Sequence, residues 1–340
     1  MKLATPRWWY VRSGAPMAVT RAVLRPAAWI WAGATAGRLA RAAPLDPGVA
    51  VICVGNLTLG GSGKTPVVRA LARRFASGGR AVHILTRGHG GRLKGPVQVD
   101  PARHAAADVG DEALMLAAEA PVWVARDRAA GALAAVAAGA AVVVMDDGHQ
   151  NPQPRKAVSI VVVDGETRGG EWPFGDGAVF PAGPMREPLA AGLARADAVI
   201  VLLPGDLAAP DPALTTVFGA TPVLVAHLVP TRPPPAGPQL AFAGIGKPWK
   251  MERALQAAGC DLVDFAPLAD HARLGEPLLR LLARRASLLG AGLLTTEKDW
   301  IRLPPAWRSR VAAWPVEARF DDEAALERLL RPVENAIAAR

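Results

Sequence analysis

This chain of 340 residues is poor in cysteine, tyrosine and lysine. Its two cysteines, Cys53 and Cys260, lack the spacing of metal ligands, so the sequence predicts neither a disulfide framework nor a cysteine-based metal site. A reduced, cytosolic compartment follows from that scarcity. Hydrophobic residues make up 51% of the chain, which excludes a disordered composition and favours two lobes over one core.

Acidic residues are missing from the first 45 positions, and so is any apolar run long enough to cross a bilayer. The longest uncharged run there, Pro26–Gly37, falls short of the ~20 residues that a spanning helix needs. A helical pattern over Val19–Leu39, with basic residues and tryptophans around it, predicts a helix lying on an anionic membrane surface. An ordinary amphipathic helix packed on the core is the alternative. The basic residues are Lys2, Arg7, Arg12, Arg21, Arg25, Arg38 and Arg41.

The net charge of +9 suggests acidic partners such as a nucleotide, an anionic lipid or a nucleic acid. A compositional preference for arginine would also produce it, because arginines outnumber lysines thirty-two to seven. No basic–aromatic stacking motif occurs beyond the N-terminal segment, so a nucleic-acid partner is not expected.

Short apolar runs alternate with helix-like stretches through residues 46–228, which predicts an α/β fold with a parallel sheet covered by helices on both faces. A proline-rich break at Pro230–Pro238 precedes a smaller α/β lobe, predicted over residues 229–340. Pro315 would place the last strand of that lobe, Val311–Val316, at a sheet edge. The predicted strands of the first lobe are Val49–Val54, Ala81–Thr86, Pro121–Ala125, Val142–Met145, Ser159–Val163 and Ala198–Leu203.

A glycine-rich loop links the first predicted strand to a helix and ends in Gly63-Lys64-Thr65. It matches the phosphate-binding pattern G-x-x-x-x-G-K-[ST], except that Thr58 replaces the first glycine. Glycines let backbone N–H groups turn toward phosphate oxygens, and the helix N-terminus adds its positive dipole end. The predicted ATP-binding residues are Thr58, Leu59, Gly60, Gly61, Ser62, Gly63, Lys64 and Thr65. A glycine-rich turn without a ligand is the alternative.

A phosphate loop of this kind works with Mg²⁺, held by the loop threonine and a strand-end acid. Asp146 and Asp147 follow a buried strand and are predicted to bind the metal, although a paired Asp could also cap a loop. Asp111 and Glu112 open a predicted helix, where acids are commonly capping residues. Sequence alone therefore leaves the role of Asp111 open.

Taken together, these residues resemble the tetraacyldisaccharide 4′-kinase family over roughly residues 8–303. Three motifs are specific: the loop in its Gly-Asn-Leu-Thr context, Pro181–Pro188 (PAGPMREP) and Thr295–Asp299 (TTEKD). Supporting motifs are Thr86-Arg87-Gly88, Val109-Gly110-Asp111-Glu112, Arg126-Asp127-Arg128, Asp146-Asp147-Gly148, Ala243-Gly244-Ile245-Gly246 and Asp270-His271.

The resemblance implies transfer of the ATP γ-phosphoryl group to the 4′-hydroxyl of an acylated disaccharide 1-phosphate in lipid A biosynthesis. It also implies a peripheral enzyme on the cytoplasmic face of the inner membrane, and we expect a monomer. The catalytic residues would be Asp111 as proton acceptor, His271 as its partner and Lys64 as the phosphate ligand. Thr65, Glu112, Asp146 and Asp147 would form the Mg²⁺ environment.

Two other functions compete with this one. A membrane-surface P-loop NTPase switch is the first, but guanine recognition needs Lys-x-Asp at a strand end, and here Lys298 and Asp299 are adjacent. A kinase of a soluble metabolite is the second, and it leaves the N-terminal segment without a purpose.

Overall fold

Two β-sheets with helices on their faces form the chain in the computed structural model, which describes residues 6–12, 17–270 and 272–339. Strands β1–β13 of these residues are Ala50–Gly55, Val82–Thr86, Val97–Gln98, Val122–Val124, Val142–Asp146, Val158–Asp164, Ala198–Pro204, Val223–Pro230, Gln239–Ala243, Leu262–Pro267, Gly292–Thr296, Val311–Trp314 and Val316–Phe320. Helices α1–α12 are Ala18–Ala40, Lys64–Ser77, Ala106–Val109, Asp111–Leu116, Arg128–Ala137, Leu189–Leu193, Pro212–Thr216, Pro248–Ala257, Glu276–Leu288, Glu297–Ile301, Pro305–Arg308 and Glu323–Ala338.

The larger sheet has nine strands in the order β13-β8-β7-β6-β1-β5-β2-β4-β3. All pairs are parallel except the two outermost, β13 with β8 and β3 with β4. Every residue of β1 is buried, because helices cover both faces of the sheet and leave no polar side. The prediction of a parallel α/β fold is confirmed.

Helix α2 covers one face of this sheet and shows why the chain folds this way locally. Its apolar residues Val68, Leu71 and Phe75 repeat at helical spacing and are buried against the strands. Gly63 precedes the helix with φ +77°, a left-handed conformation that glycine adopts without strain. The loop before α2 therefore lies at the carboxyl end of β1, where parallel sheets bind ligands.

The smaller sheet has four parallel strands in the order β10-β9-β11-β12, so the predicted second α/β lobe is confirmed in its sheet. As predicted, the strand before Pro315 is an edge strand. The structure differs after that residue. Strand β13 pairs antiparallel with β8, and α12 packs on β1 and β6 of the larger sheet.

Residues 316–338 thus pack with the larger sheet, although the sequence placed them in the second lobe, predicted over residues 229–340. Without these residues, the edge of β8 would have no partner strand and an apolar face of the larger sheet would be exposed. Strand β13 and helix α12 cover them. Leu326, Leu330 and Val333 of α12 are at most 2% exposed in its core. The second lobe is therefore an insertion between β8 and β13.

Helix α1 packs one stripe against the protein and presents the opposite one to solvent. Arg21, Ala28 and Thr35, spaced by seven, are buried, whereas Val19, Val23 and Ile30 are exposed. At 100° per residue, the three exposed side chains fall within about 40° of one another and about 140–180° from Ala28. Of the helices in the described ranges, none has the length and apolarity to span a bilayer.

The indole of Trp31 fixes the C-terminal half of α1 to the body of the protein. Its Nε1 donates a hydrogen bond of 3.0 Å to the carbonyl of Arg186, and its ring stacks edge-on against Phe180. Packing on the core, one of the two alternatives that the sequence left open, is therefore observed, whereas the membrane-surface helix remains a prediction. Helix α1 packs on the core, and it also carries an outward apolar stripe.

Candidate active site

Hydrogen bonds to Pro184, Arg186 and Tyr10 fix the start of the loop between β1 and α2. The N–H of Leu59 donates 2.8 Å to the carbonyl of Pro184, and Arg186 Nε donates 3.0 Å to the carbonyl of Thr58. The Tyr10 hydroxyl donates 2.7 Å to the carbonyl of Leu59. These contacts fix the first residues of the loop. The N–H groups further along the loop can therefore point toward a ligand.

The glycines of the loop leave its front open. A Cβ at Gly61 would meet nothing within 4 Å, whereas a Cβ at Gly63 would lie 2.3 Å from a methyl of Leu202. Gly60 has φ +94°. The hydroxyl of Ser62 is buried and has no hydrogen-bond partner within the described ranges. This arrangement has the chemistry of an anion site at a helix N-terminus.

Lys64 extends from the first turn of α2 toward the carboxylates at the end of β5. Its Nζ lies 3.4 Å from Asp147 Oδ1, and Arg186 Nη1 donates 2.8 Å to the same oxygen. Burial alone would raise the pKa of Asp147, but the two cations outweigh it and hold that pKa well below its usual range. Asp147 is therefore ionised at neutral pH.

Asp146 is the more buried member of the pair, at 2% exposure. Its Oδ2 accepts 3.2 Å from the Thr86 hydroxyl, and its Oδ1 has no partner among the residues that the structure describes. Burial raises its pKa to about 7, and the nearby charge of Glu112 adds to this while Lys64 opposes it. A buried carboxylate oxygen without a donor is costly unless a cation binds there.

The donor set fits Mg²⁺. Thr65 stands on the first turn of α2, after Lys64, and Asp146 and Asp147 end the neighbouring strand. Mg²⁺ takes oxygen ligands and usually keeps several waters, so a few protein oxygens suffice. No cluster of three or more His, Cys, Asp or Glu side chains with metal-binding geometry occurs in ranges 6–12, 17–270 and 272–339.

Asp111 and Glu112 open helix α4, and a glycine sets their position. Gly110 has φ +92°, and a Cβ there would lie 2.5 Å from the carbonyl oxygen of His89. Asp111 is only 7% exposed, yet it lines a cavity of about 180 Å³ together with Gly90 and Gly110. Asp111 thus lies at the wall of a small cavity beside α4.

Helix α10 of the second lobe brings two cations to these acids. Lys298 Nζ lies 3.3 Å from Glu112 Oε1, and Arg302 Nε lies 3.9 Å from Asp111 Oδ2. Burial would lower the pKa of Lys298, but the charge of Glu112 outweighs it and raises that pKa. His271 lies outside the described residues. The carbonyl of the residue after it, Ala272, accepts a hydrogen bond from Arg302.

A second ion-pair network joins the two lobes beside α2. Arg69 and Arg73 both bond Glu119, at 2.7 Å and 2.6 Å, and Arg69 also bonds Glu297 of the second lobe at 2.5 Å. Burial would raise the pKa of Glu119, but the hydrogen bonds from Arg73 and Arg69 outweigh it and lower that pKa. The phosphate-loop helix is thus tied to the second lobe by charge.

Three cations of this site, Arg186, Lys298 and Arg302, were not among the site residues predicted from the sequence. Arg186 and Lys298 lie in the PAGPMREP and TTEKD motifs. The motifs therefore marked these positions but did not indicate what the two side chains do. Arg302 lies three residues beyond the TTEKD motif, and no sequence pattern marks it. Only the packing of α10 on α4 brings it to Asp111.

Comparison with known proteins bears on what this site does. A family model for LpxK, described as tetraacyldisaccharide-1-P 4′-kinase, matches residues 20–334. Tetraacyldisaccharide 4′-kinase of Phenylobacterium zucineum is 69% identical over 327 residues, covering 96% of this chain and 98% of the relative. The one from Caulobacter vibrioides (strain NA1000 / CB15N) is 65% identical over 333 residues, covering 98% and 99%.

Among solved structures, the crystal structure of the "apo" form of LpxK from Aquifex aeolicus in complex with ATP shares the fold. Its TM-score is 0.71 at 24% identity, and the match covers 92% of this chain and 99% of that one. The family match spans nearly the whole chain, including the loop, the paired acids and the α4 and α10 contacts. This chain belongs to the tetraacyldisaccharide-1-phosphate 4′-kinase family.

Proposed function

We propose that this chain transfers the γ-phosphoryl group of ATP to the 4′-hydroxyl of a tetraacyldisaccharide 1-phosphate. One observation supports this best. Lys64, which follows the phosphate loop, lies 3.4 Å from Asp147, and the neighbouring Asp146 has a buried oxygen with no donor among the described residues. A kinase needs that combination of anion cradle and metal-binding acid.

The phosphates of ATP would lie on the N–H groups of residues 60–65. Lys64 would leave Asp147 for the β- and γ-phosphates, because phosphate oxygens offer it a closer and more concentrated negative charge. Arg186 stays beside Asp147 and keeps that carboxylate ionised and in place. The loop amides and Lys64 then neutralise the charge that builds on the transferred phosphoryl group.

Thr65, Asp146 and Asp147 would hold Mg²⁺, with Glu112 nearby. When bound, the ion would neutralise phosphate charge as a Lewis acid. The Asp146 oxygen that now lacks a donor would gain a cation, and loss of a proton from Asp146 would accompany that change.

Asp111 is our candidate for the group that accepts the proton of the 4′-hydroxyl, and His271 for its partner. Asp111 is one of the residues that line the 180 Å³ cavity, where part of an acceptor alcohol would bind. Two cations from α10, Lys298 and Arg302, flank the acids. Both place positive charge beside the carboxylate that would receive the proton.

We place the protein on the cytoplasmic face of the inner membrane through helix α1. Val19, Val23 and Ile30 form an outward apolar stripe, and the tryptophan at 29 is 71% exposed beside them. The arginine at 25 is also exposed, on a side of the helix closer to Ala28 than to the stripe. An exposed apolar stripe on a helix that also carries an exposed tryptophan and arginine is typical of helices that lie in the membrane interface.

The test is incubation of the purified protein with radiolabelled ATP, Mg²⁺ and detergent-solubilised disaccharide 1-phosphate lipid, following label into the lipid. Lys64→Met should lower the rate by about 10²–10³-fold, the typical effect of losing one preorganised donor to transition-state charge. Lys94→Met is the matched control, since Lys94 is exposed and stands outside the site.

Label in lipid that depends on Lys64 supports the kinase. Rapid ATP hydrolysis without lipid and no labelled lipid would favour the NTPase switch instead. Labelling of a soluble sugar with the same efficiency as the lipid would favour the metabolite kinase.

A further inference from the structure

Arg302, the residue that caps the C-terminus of α10, contacts three groups: Asp299, the carbonyl of Ala272 and Asp111. Its Nη1 lies 3.0 Å from Asp299 Oδ1, its Nη2 donates to the carbonyl of Ala272, and its Nε lies 3.9 Å from Asp111 Oδ2. The guanidinium is a rigid planar fork, so fixing two of its edges fixes the third. Its side chain is 13% exposed.

Asp299 anchors this fork firmly. It is fully buried, and its Oδ2 accepts hydrogen bonds from the Gly244 N–H and the Thr296 hydroxyl, both at 2.8 Å. A Cβ at Gly244 would lie 3.0 Å from Asp299 Oδ1 and 3.7 Å from Arg302 Nη1. Glycine at 244 therefore leaves the room that the pair of Asp299 and Arg302 needs.

The distance between Arg302 and Asp111 suits a positioning role. At 3.9 Å it is an ion pair and too long for a hydrogen bond, so Arg302 attracts the carboxylate without occupying its oxygens as a donor. Gly110 fixes the backbone of Asp111 from the other side, since a Cβ there would meet the His89 carbonyl. The carboxylate is thus held from both lobes.

We propose that Arg302 is a positioning residue that orients the Asp111 carboxylate toward the acceptor hydroxyl when the two lobes are closed. This inference rests on the proposed function, because it assigns Arg302 a task in that reaction. It adds a residue of the second lobe to the site and explains the glycine at 244.

The experiment compares wild type, Arg302→Gln, Arg302→Lys and Arg308→Gln in the lipid-phosphorylation assay, with kcat and both KM values measured separately. Arg308 is the matched control, because it caps the same short helix by bonding the carbonyls of Ile301 and Leu303 but lies away from Asp111. Thermal melting of each variant reports its stability.

For Arg302→Gln we expect kcat to fall about 30-fold with both KM values within about threefold of wild type, since orientation matters most in the transition state. Arg302→Lys should recover a few-fold of that loss, because it keeps the charge and loses the fork. Arg308→Gln should keep kcat within about threefold. Gly244→Ala is a second test that leaves Arg302 in place. Its Cβ would crowd the pair of Asp299 and Arg302, so kcat should fall several-fold.

If the wild type is active and Arg302→Gln keeps kcat within threefold of it, the role of Arg302 is overturned but the proposed function is not. An equal kcat loss in Arg308→Gln, or a loss that follows melting temperature, would also overturn that role. If Arg302→Gln does not fold, an undiminished kcat in Gly244→Ala overturns it. A wild type that never labels lipid would instead overturn the proposed function, and this inference with it.

Discussion

Removing the outward apolar stripe of α1 should release the protein from membranes. The change is Val19→Ala, Val23→Ala and Ile30→Ala together, which keeps the helix because alanine is the best helix former. These side chains are 79%, 72% and 74% exposed, so little of their surface is used in packing on the protein. Any loss of vesicle binding therefore reports contact with lipid.

The magnitude follows from the carbons removed. At about 0.8 kcal/mol per buried CH₂, the exposed parts of the three side chains amount to ~4 kcal/mol at full insertion. A helix immersed to half its diameter would lose about 2 kcal/mol, which weakens partition roughly 30-fold. We expect a decrease of at least tenfold.

The assay is co-sedimentation with vesicles containing anionic lipid, with ATP binding measured alongside to show that the site is intact. The control is Leu281→Ala with Leu288→Ala on α9, whose side chains are 63% and 88% exposed in the other lobe. Unchanged binding of the triple variant, or an equal decrease in the control, would refute the role assigned to α1.

Two further changes probe the loop and the ion pairs. Gly63→Ala should weaken ATP binding at least tenfold in calorimetry, because φ is +77° and the new Cβ would meet buried Leu202; Gly78→Ala, at ordinary φ on the same helix, should not. Glu119→Gln should lower the free energy of unfolding by about 2 kcal/mol at pH 7, since it removes charged hydrogen bonds from two arginines. The pKa of Glu119 is lowered by folding, so its stabilisation is present above pH ~4.3 and disappears on acidification. Urea titrations should therefore show the gap between variant and wild type closing below about pH 4, and a gap independent of pH would contradict the ion-pair account.

The sequence predicted most of the larger sheet because its strands carry a local signal. Runs such as Val142–Asp146 are apolar at every position up to the acid, a pattern typical of strands buried on both faces. The loop before Lys64 was equally predictable, because glycine, lysine and threonine at this spacing form the phosphate-binding loop pattern.

Contacts between distant segments left no such signal. Strand β13 follows β12 after one residue, Pro315, and nothing local states that it pairs with β8 of the other sheet. The same holds for Arg302, which reaches Asp111 only because α10 packs on α4. Charged side chains are usually solvated, so a lone arginine in a sequence predicts no partner.

The return of the chain to β13 means that two polypeptide links, rather than one, connect the lobes. One runs from β8 to β9, and the other is the single residue between β12 and β13. A body attached at two points can swing about the line that joins them, but it cannot rotate freely around either. Any movement of the second lobe relative to the larger sheet should therefore follow one path, which would return α10 to the same register on α4.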